Sequence, residues 1–143
     1  MVNYDPATLQ LKIRKHFKEI LSESAIIAIY LFGSSVKRHE KVPTDIDIAL
    51  LLDEPAYKDD PIASLAPAYM AATRAALDLE CETDITILNT ASLEMAYTII
   101  TSGVCLVETD REKRLGFEIA LKGMYFDFKP FLDQLRSECI NAL

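Results

Sequence analysis

The hydrophobic positions of this chain change their spacing repeatedly, and each change predicts an element. After Asp5-Pro6, a capping carboxylate followed by Pro at the first helical position, Leu9, Ile13, Phe17, Ile20 and Leu21 recur at helical intervals. They predict a first helix of about four turns. Residues 25–32, AIIAIYLF, are continuously apolar and stop at Gly33, as in a strand covered on both faces. Residues 45–52, DIDIALLL, read as a second strand whose beginning carries acids on one side of the pleat, and Asp53-Glu54-Pro55 ends its ladder.

Asp60-Pro61 repeats the helix-start signal, and Ile62, Leu65, Tyr69, Ala72, Ala76 and Leu79 form an apolar stripe over the next five or so turns. TDITIL, residues 83–88, alternates as a third strand, with Asp84 and Thr86 on one face and Ile85 and Ile87 on the other. Ser92 is placed to cap a short helix through about Thr101, carrying Leu93, Ala96, Tyr97 and Ile100, with Gly103 ending it. Residues 104–107 predict a short fourth strand. From Asp110 the pattern is helical again, anchored by Leu115, Ile119, Tyr125, Phe126 and Phe128, until Pro130 breaks or kinks it; Phe131, Leu132 and Leu135 continue beyond. With no internal repeat, low-complexity tract or linker, the order αββαβαβα predicts a single domain over 1–143, an α/β fold with helices packed on a small mixed sheet.

Composition narrows the functional classes. A chain of 143 residues, half of them hydrophobic and with only four Gly and six Pro, has globular rather than disordered composition. Its 15 basic and 22 acidic residues give a formal charge of −7, which disfavours nucleic acid and anionic membranes as partners. An anionic ligand must then be held locally, by backbone N–H groups, a metal ion or a few basic side chains. Cys81, Cys105 and Cys139 are far apart, odd in number and form no C-x-x-C pair, so buried free thiols are expected rather than a disulfide framework or zinc site. No apolar signal core or membrane-length run is present, which points to the cytoplasm. Lys12, Arg14, Lys15, His16 and Lys18 read as a solvated helix face.

Against this background three acids stand out. Gly33 and Ser34 directly follow the first strand, where a residue lacking a side chain lets backbone approach a phosphate and Ser34 adds a hydroxyl and an N–H. Ten residues later, Asp45 and Asp47 project from one face of a strand that is otherwise apolar. Two like charges beside a core are costly unless a cation compensates them, and a hard divalent ion takes oxygen ligands. Asp84 opens another apolar strand on its polar face. If the two strands are neighbours, Asp45, Asp47 and Asp84 converge, suited to hold a pair of magnesium ions on a triphosphate, with Asp84 also able to accept a hydroxyl proton. Lys37, Arg38, His39 and Lys41 lie between the loop and the acids; Lys37 and Arg38, nearest the loop, are the candidates to meet phosphate oxygens.

A strand, then G-S, ten residues, D-x-D and a later acid on a third strand resembles the polymerase-β-like nucleotidyltransferases. Within them LFGSS (31–35), TDIDIALLL (44–52), TDITIL (83–88), ITSGVCLVE (100–108) and REKRLGFEIALKGMYFDF (111–128) are similar, in order, to the blocks of the minimal nucleotidyltransferase (MNT) antitoxins of MNT/HEPN toxin–antitoxin pairs. The loop departs from the family's usual G-S-R-A-R-G, reading Gly33-Ser34-Ser35-Val36-Lys37-Arg38. The resemblance implies the polymerase-β-like fold, ATP as co-substrate with magnesium, and attack by an acceptor hydroxyl on the α-phosphate. It also implies a cognate HEPN ribonuclease toxin as partner in a hetero-oligomer, AMP being placed on a tyrosine. Two alternatives remain at this point: transfer to a small molecule such as an aminoglycoside, whose enzymes usually carry a further substrate domain, and a non-catalytic antitoxin acting by occlusion.

Overall fold

The computed structural model describes residues 5–21, 25–36 and 45–142. Four strands form one mixed sheet in the order β3-β2-β1-β4. The strands are β1 (Ile26–Phe32), β2 (Asp45–Leu52), β3 (Glu82–Ile87) and β4 (Val104–Glu108), and the helices are α1 (Pro6–Lys18), α2 (Glu54–Asp59), α3 (Pro61–Leu79), α4 (Leu93–Ser102) and α5 (Arg111–Asn141). β1 runs antiparallel to both β2 and β4, whereas β2 and β3 are parallel, joined by the α3 crossover that parallel pairing requires.

The two central strands are buried over nearly their whole lengths, which is why their sequences are continuously apolar. Ile29, Leu31, Ile46, Ile48 and Leu50 pack with Leu9, Ile13 and Phe17 of α1 and with the Ala face of α3. On the other side Ala28, Tyr30, Ala49 and Leu51 pack with Ala96 and Ile99 of α4 and Leu121 of α5. The predicted α/β class, with helices on a small mixed sheet, is the observed architecture.

Helix starts follow the expected capping chemistry. The carboxylates of Asp5, Asp60 and Asp110 accept from the backbone N–H groups of Ala7, Ala63 and Lys113, and the Ser92 hydroxyl accepts from that of Met95. Gly103 closes α4 in extended conformation, not the left-handed one; a Cβ there would lie 2.5 Å from the Ile99 carbonyl oxygen. Asn89 continues the sheet with a side chain, its amide receiving the Leu52 N–H at 2.9 Å and donating to the Leu52 carbonyl at 2.8 Å.

Four expectations need correction. Asp53-Glu54-Pro55 ends β2 but also begins the short helix α2, because Pro is tolerated in a first turn. The buried stripe of α3 is Ser64, Ala68, Ala71, Ala72 and Ala75, while Ile62 and Tyr69, expected inside, are 81% and 52% exposed. Small side chains let the helix backbone lie close to the sheet and leave the larger ones outside. Pro130 does not interrupt α5, which continues to Asn141; it sits on an exposed stretch, where water can serve the carbonyl that loses its N–H partner. Of the anchors expected on that helix, Leu115, Ile119, Phe126 and Phe128 are exposed, and Leu121 is its buried residue.

Tyr125 is an anchor, its ring stacked on Tyr97 of α4 with centroids 3.7 Å apart. Nearer the start of α5, the Tyr30 hydroxyl donates to Glu118 Oε1 at 2.5 Å, and Arg114 joins Glu118 at 2.9 Å to Glu108 at 2.5 Å. Burial, then the bond to Glu118, raises the Tyr30 phenol well above its ordinary value, so it is a fixed donor. Burial works against the Arg114 charge, but its bonds to Glu108 and Tyr30 outweigh that and hold the guanidinium ionised.

Candidate active site

The turn after β1 and the starts of β2 and β3 meet at one end of the sheet. Phe32 is paired with Asp47 across the antiparallel β1–β2 ladder, so Gly33 comes directly beside the acid. Gly33 has φ +76°, in the left-handed region that favours Gly, and opens a 3₁₀ turn through Val36. A Cβ on Gly33 would stand 2.5 Å from Asp47 Oδ2, closer than atoms tolerate. Gly33 is therefore required twice, by its backbone conformation and by the carboxylate that rests against it.

The parallel β2–β3 register sets Asp47 opposite Asp84 and Asp45 opposite Glu82. Paired residues share a face of the pleat, so Asp45, Asp47 and Asp84 stand on the same side, as the alternation predicted. Asp45 and Asp84 are exposed and Asp47 is half-buried. Burial raises the Asp47 carboxyl above its ordinary value of 3.8, and the charges of Asp84 and then Asp45 push it the same way. The acids thus form a patch of negative potential with Asp47 at its centre.

Among the described residues no three His, Cys, Asp or Glu side chains form a ready-made metal cage. That agrees with the donor chemistry of magnesium, which is commonly held by one or two carboxylates together with substrate phosphate oxygens and water. Carboxylate oxygens are the right donors, and the raised Asp47 carboxyl marks a place where positive charge is favoured. Asp45, Asp47 and Asp84 therefore fit a magnesium-bound triphosphate better than a metal held by protein alone.

Ser34 is exposed on the 3₁₀ turn beside Gly33. Lys37, Arg38, His39 and Lys41, the basic candidates, fall outside the described residues. His16 is engaged elsewhere, 3.0 Å from Asp78. The cysteines are free, as expected, but Cys81 and Cys105 are only half-buried and Cys139 is exposed. Burial, then the charge of Asp45, pushes the Cys81 thiol up and keeps it from being a ready thiolate. Sequence reasoning missed the contact between Gly33 and Asp47, since nothing in a strand–turn–strand pattern says which side chain folds back onto the turn.

Gly33→Ala is expected to destabilise the protein by about 1–2 kcal/mol, through the left-handed φ and the displaced Asp47. It should weaken nucleotide binding by more than that loss alone implies. Thermal melting and titration calorimetry with ATP and magnesium measure the two effects; unchanged affinity would reduce Gly33 to a structural turn.

One chain of a complex between a tri-AMPylated Shewanella oneidensis HEPN toxin and an MNT antitoxin superposes with a TM-score of 0.64 and 22% identity, over 95% of this chain and 99% of that one. A chain of a toxin–antitoxin complex with AMP-PNP gives 0.62 and 23%, over 92% and 98%. A chain of the MntA–HepT toxin–antitoxin complex gives 0.61 and 22%, over 94% and 98%. At these identities the likeness establishes a shared fold. No curated protein sequence matches the chain. Residues 15–112 match the family described as polymerase beta nucleotidyltransferase, a span that includes Gly33, both acids of the D-x-D pair and Asp84, and the chain belongs to that family.

Proposed function

We propose that this protein is a magnesium-dependent antitoxin that transfers AMP from ATP to a hydroxyl, that of a tyrosine, on a cognate HEPN ribonuclease toxin and so silences it. The observation that carries this reading is the opposition of Asp47 and Asp84 on parallel strands, with Gly33 backed against Asp47. It is supported by the shared fold with chains from complexes in which a HEPN toxin is tri-AMPylated or an ATP analogue is bound. Among the described residues no helix is long and apolar enough to cross a membrane, in keeping with a partner met in the cytoplasm.

Each residue then has a task. The Gly33-Ser34 turn offers backbone N–H groups and a hydroxyl to the triphosphate, with Lys37 and Arg38 following it in sequence as the nearest cations. Asp45, Asp47 and Asp84 hold magnesium, which when bound offsets the phosphate charge and favours attack at phosphorus. Asp84, exposed on β3, takes the proton from the acceptor hydroxyl. The acceptor oxygen bonds to the α-phosphorus of ATP, the bond from that phosphorus to the bridging oxygen breaks, and pyrophosphate leaves.

Asp84→Ala separates chemistry from binding, because one exposed carboxylate is a small part of an interface of about 1,600 Å². Co-expressed with a HEPN protein from the adjacent reading frame, the wild type should add the mass of one or more AMP groups to that partner. Asp84→Ala should co-purify with the partner and leave its mass unchanged. A partner that is bound and inhibited by the wild type without gaining mass would replace this reading with inhibition by occlusion.

A further inference from the structure

The second half of α5 is held to the domain along one line and open along another. Tyr125 stacks on Tyr97 of α4, Arg136 pairs with Glu94 at the start of the same helix, and Leu132, between them, is half-buried. About a quarter-turn round the helix from that line, Met124, Phe128, Phe131 and Leu135 form an apolar row, each about half exposed. The row extends the line of Phe117 and Leu121, which pack into the core on the α4 side of the sheet. A line that serves as core in its first turns therefore runs on uncovered, on a helix that α4 holds in place.

Its spacing says what covers it. From Phe117 to Leu135 the intervals alternate between four and three residues, the repeat with which one α-helix packs against another. Between Met124 and Leu135 they are four, three and four, which reads the same from either end, so the row is complementary to an antiparallel copy of itself. Phe128 then meets Phe131 of the second copy, and Met124 meets its Leu135. The flanks select this direction: antiparallel pairing sets Tyr125 beside Leu132 and Asp127 beside Gln134, whereas parallel pairing would lay Asp127 against Leu132.

We propose that the protein forms a two-fold symmetric dimer in which the α5 rows of two copies pair antiparallel. Charge permits it here: Lys122, Lys129 and Arg136 balance Asp127, Asp133 and Glu138, so this half of α5 is neutral in a chain of formal charge −7, and two copies meet without the repulsion of their acidic surfaces. A neutral row also gives a charged partner no advantage. At roughly 100 Å² of open surface for each large side chain, the row presents about 400 Å² per copy, the size at which an exposed apolar patch marks a contact. Tyr125, Leu132 and the helix flanks bring this towards the about 800 Å² per partner of a specific dimer. Pro130 lies on the far side of the helix, as does the Phe126 carbonyl that its ring leaves without an N–H, so pairing buries no orphaned carbonyl.

Sedimentation equilibrium of the full chain alone, at micromolar concentration, should give twice the mass of one chain. Phe128→Glu and Phe131→Glu, at exposed positions, should each raise the dimer dissociation constant about tenfold or more while circular dichroism shows the helices retained. Ile119→Glu, exposed on the other side of α5, is the control and should leave the dimer intact. For the direction, Met124→Cys and Leu135→Cys together, in a Cys139→Ser background, should give a disulfide-linked dimer with oxidised glutathione, and neither alone should. Linkage by either one alone overturns the antiparallel arrangement. A wild type that stays monomeric, or a dimer that survives both Glu substitutions, overturns the proposal; if those substitutions instead remove binding of a HEPN partner by a monomeric wild type, the row belongs to that partner.

Discussion

Asp47→Asn is expected to lower AMP transfer by about a thousandfold or more while making the ligand-free protein slightly more stable. Both effects have one cause. The Asp47 carboxyl is raised by burial and by the neighbouring charges of Asp84 and Asp45, so the folded state binds this proton more tightly than the unfolded state does. Below the ordinary value of 3.8 both states are protonated and the group contributes nothing to stability. As pH rises from there through the raised folded value, stability is lost. The amide removes that penalty, so at pH 7 the variant should melt higher than the wild type, with the gain disappearing as pH falls below the ordinary carboxylate value.

On the proposed function, saturating ATP and magnesium should invert the order, because a ligand stabilises the state that binds it. Asp45→Asn should lose activity similarly. Its stability gain should be smaller, since Asp45 is exposed and acts on Asp47 as the weaker of the two neighbouring charges. Melting curves across pH with and without ATP–magnesium, beside a transfer assay, read all of this. Full activity in both variants would remove the acids from the chemistry.

Arg114→Ala carries the largest expected loss of stability, about 2–4 kcal/mol. Arg114 joins Glu108 at the end of β4 to Glu118 on α5, and Glu118 also receives the Tyr30 hydroxyl from the central strand. Truncation leaves two carboxylates facing each other with their cation removed, and Glu118 is only 12% exposed. Tyr30→Phe should cost less, about 1–2 kcal/mol, since it deletes one hydrogen bond and leaves the Arg114 pairs intact. Urea denaturation at constant m-value measures both. A smaller loss in Arg114→Ala than in Tyr30→Phe would mean that the cation is not what holds α5 to the sheet.

The parts of the fold legible in the sequence were those where one physical rule acts alone. Asp5, Asp60, Ser92 and Asp110 mark helix starts because capping is local. AIIAIYLF and DIDIALLL are strands because only a doubly covered strand is apolar throughout. Asp45, Asp47 and Asp84 fall on one side because side-chain alternation is fixed once two strands are neighbours. What could not be read depended on partners distant in sequence. Which face of α3 is buried was decided by how closely the helix approaches the sheet, and Ala68, Ala71, Ala72 and Ala75 allow an approach that Ile62 and Tyr69 do not. The apolar residues of α5 promised a core that its own domain does not supply. The Gly33–Asp47 contact required knowing how the turn after β1 lies against β2.

The strand order also sets a timetable for a chain emerging from the ribosome. β1, the first strand made, lies in the middle of the sheet, and its pairing with β4 must wait for Ile29 to meet Val107 across the longest loop closure in the sheet. The face packed by α1 and α3 holds most of its residues once residue 79 has been made and is completed by β3 and by Leu106 of β4. The opposite face, on which Asp47, Ala49 and Leu51 lie, stays bare until Ala96, Ile99 and Leu121 arrive. A nascent chain thus acquires most of its α1–α3 face early and completes the face that carries the acids last, and a truncated product lacking α5 would leave the ribosome with that face covered by α4 alone.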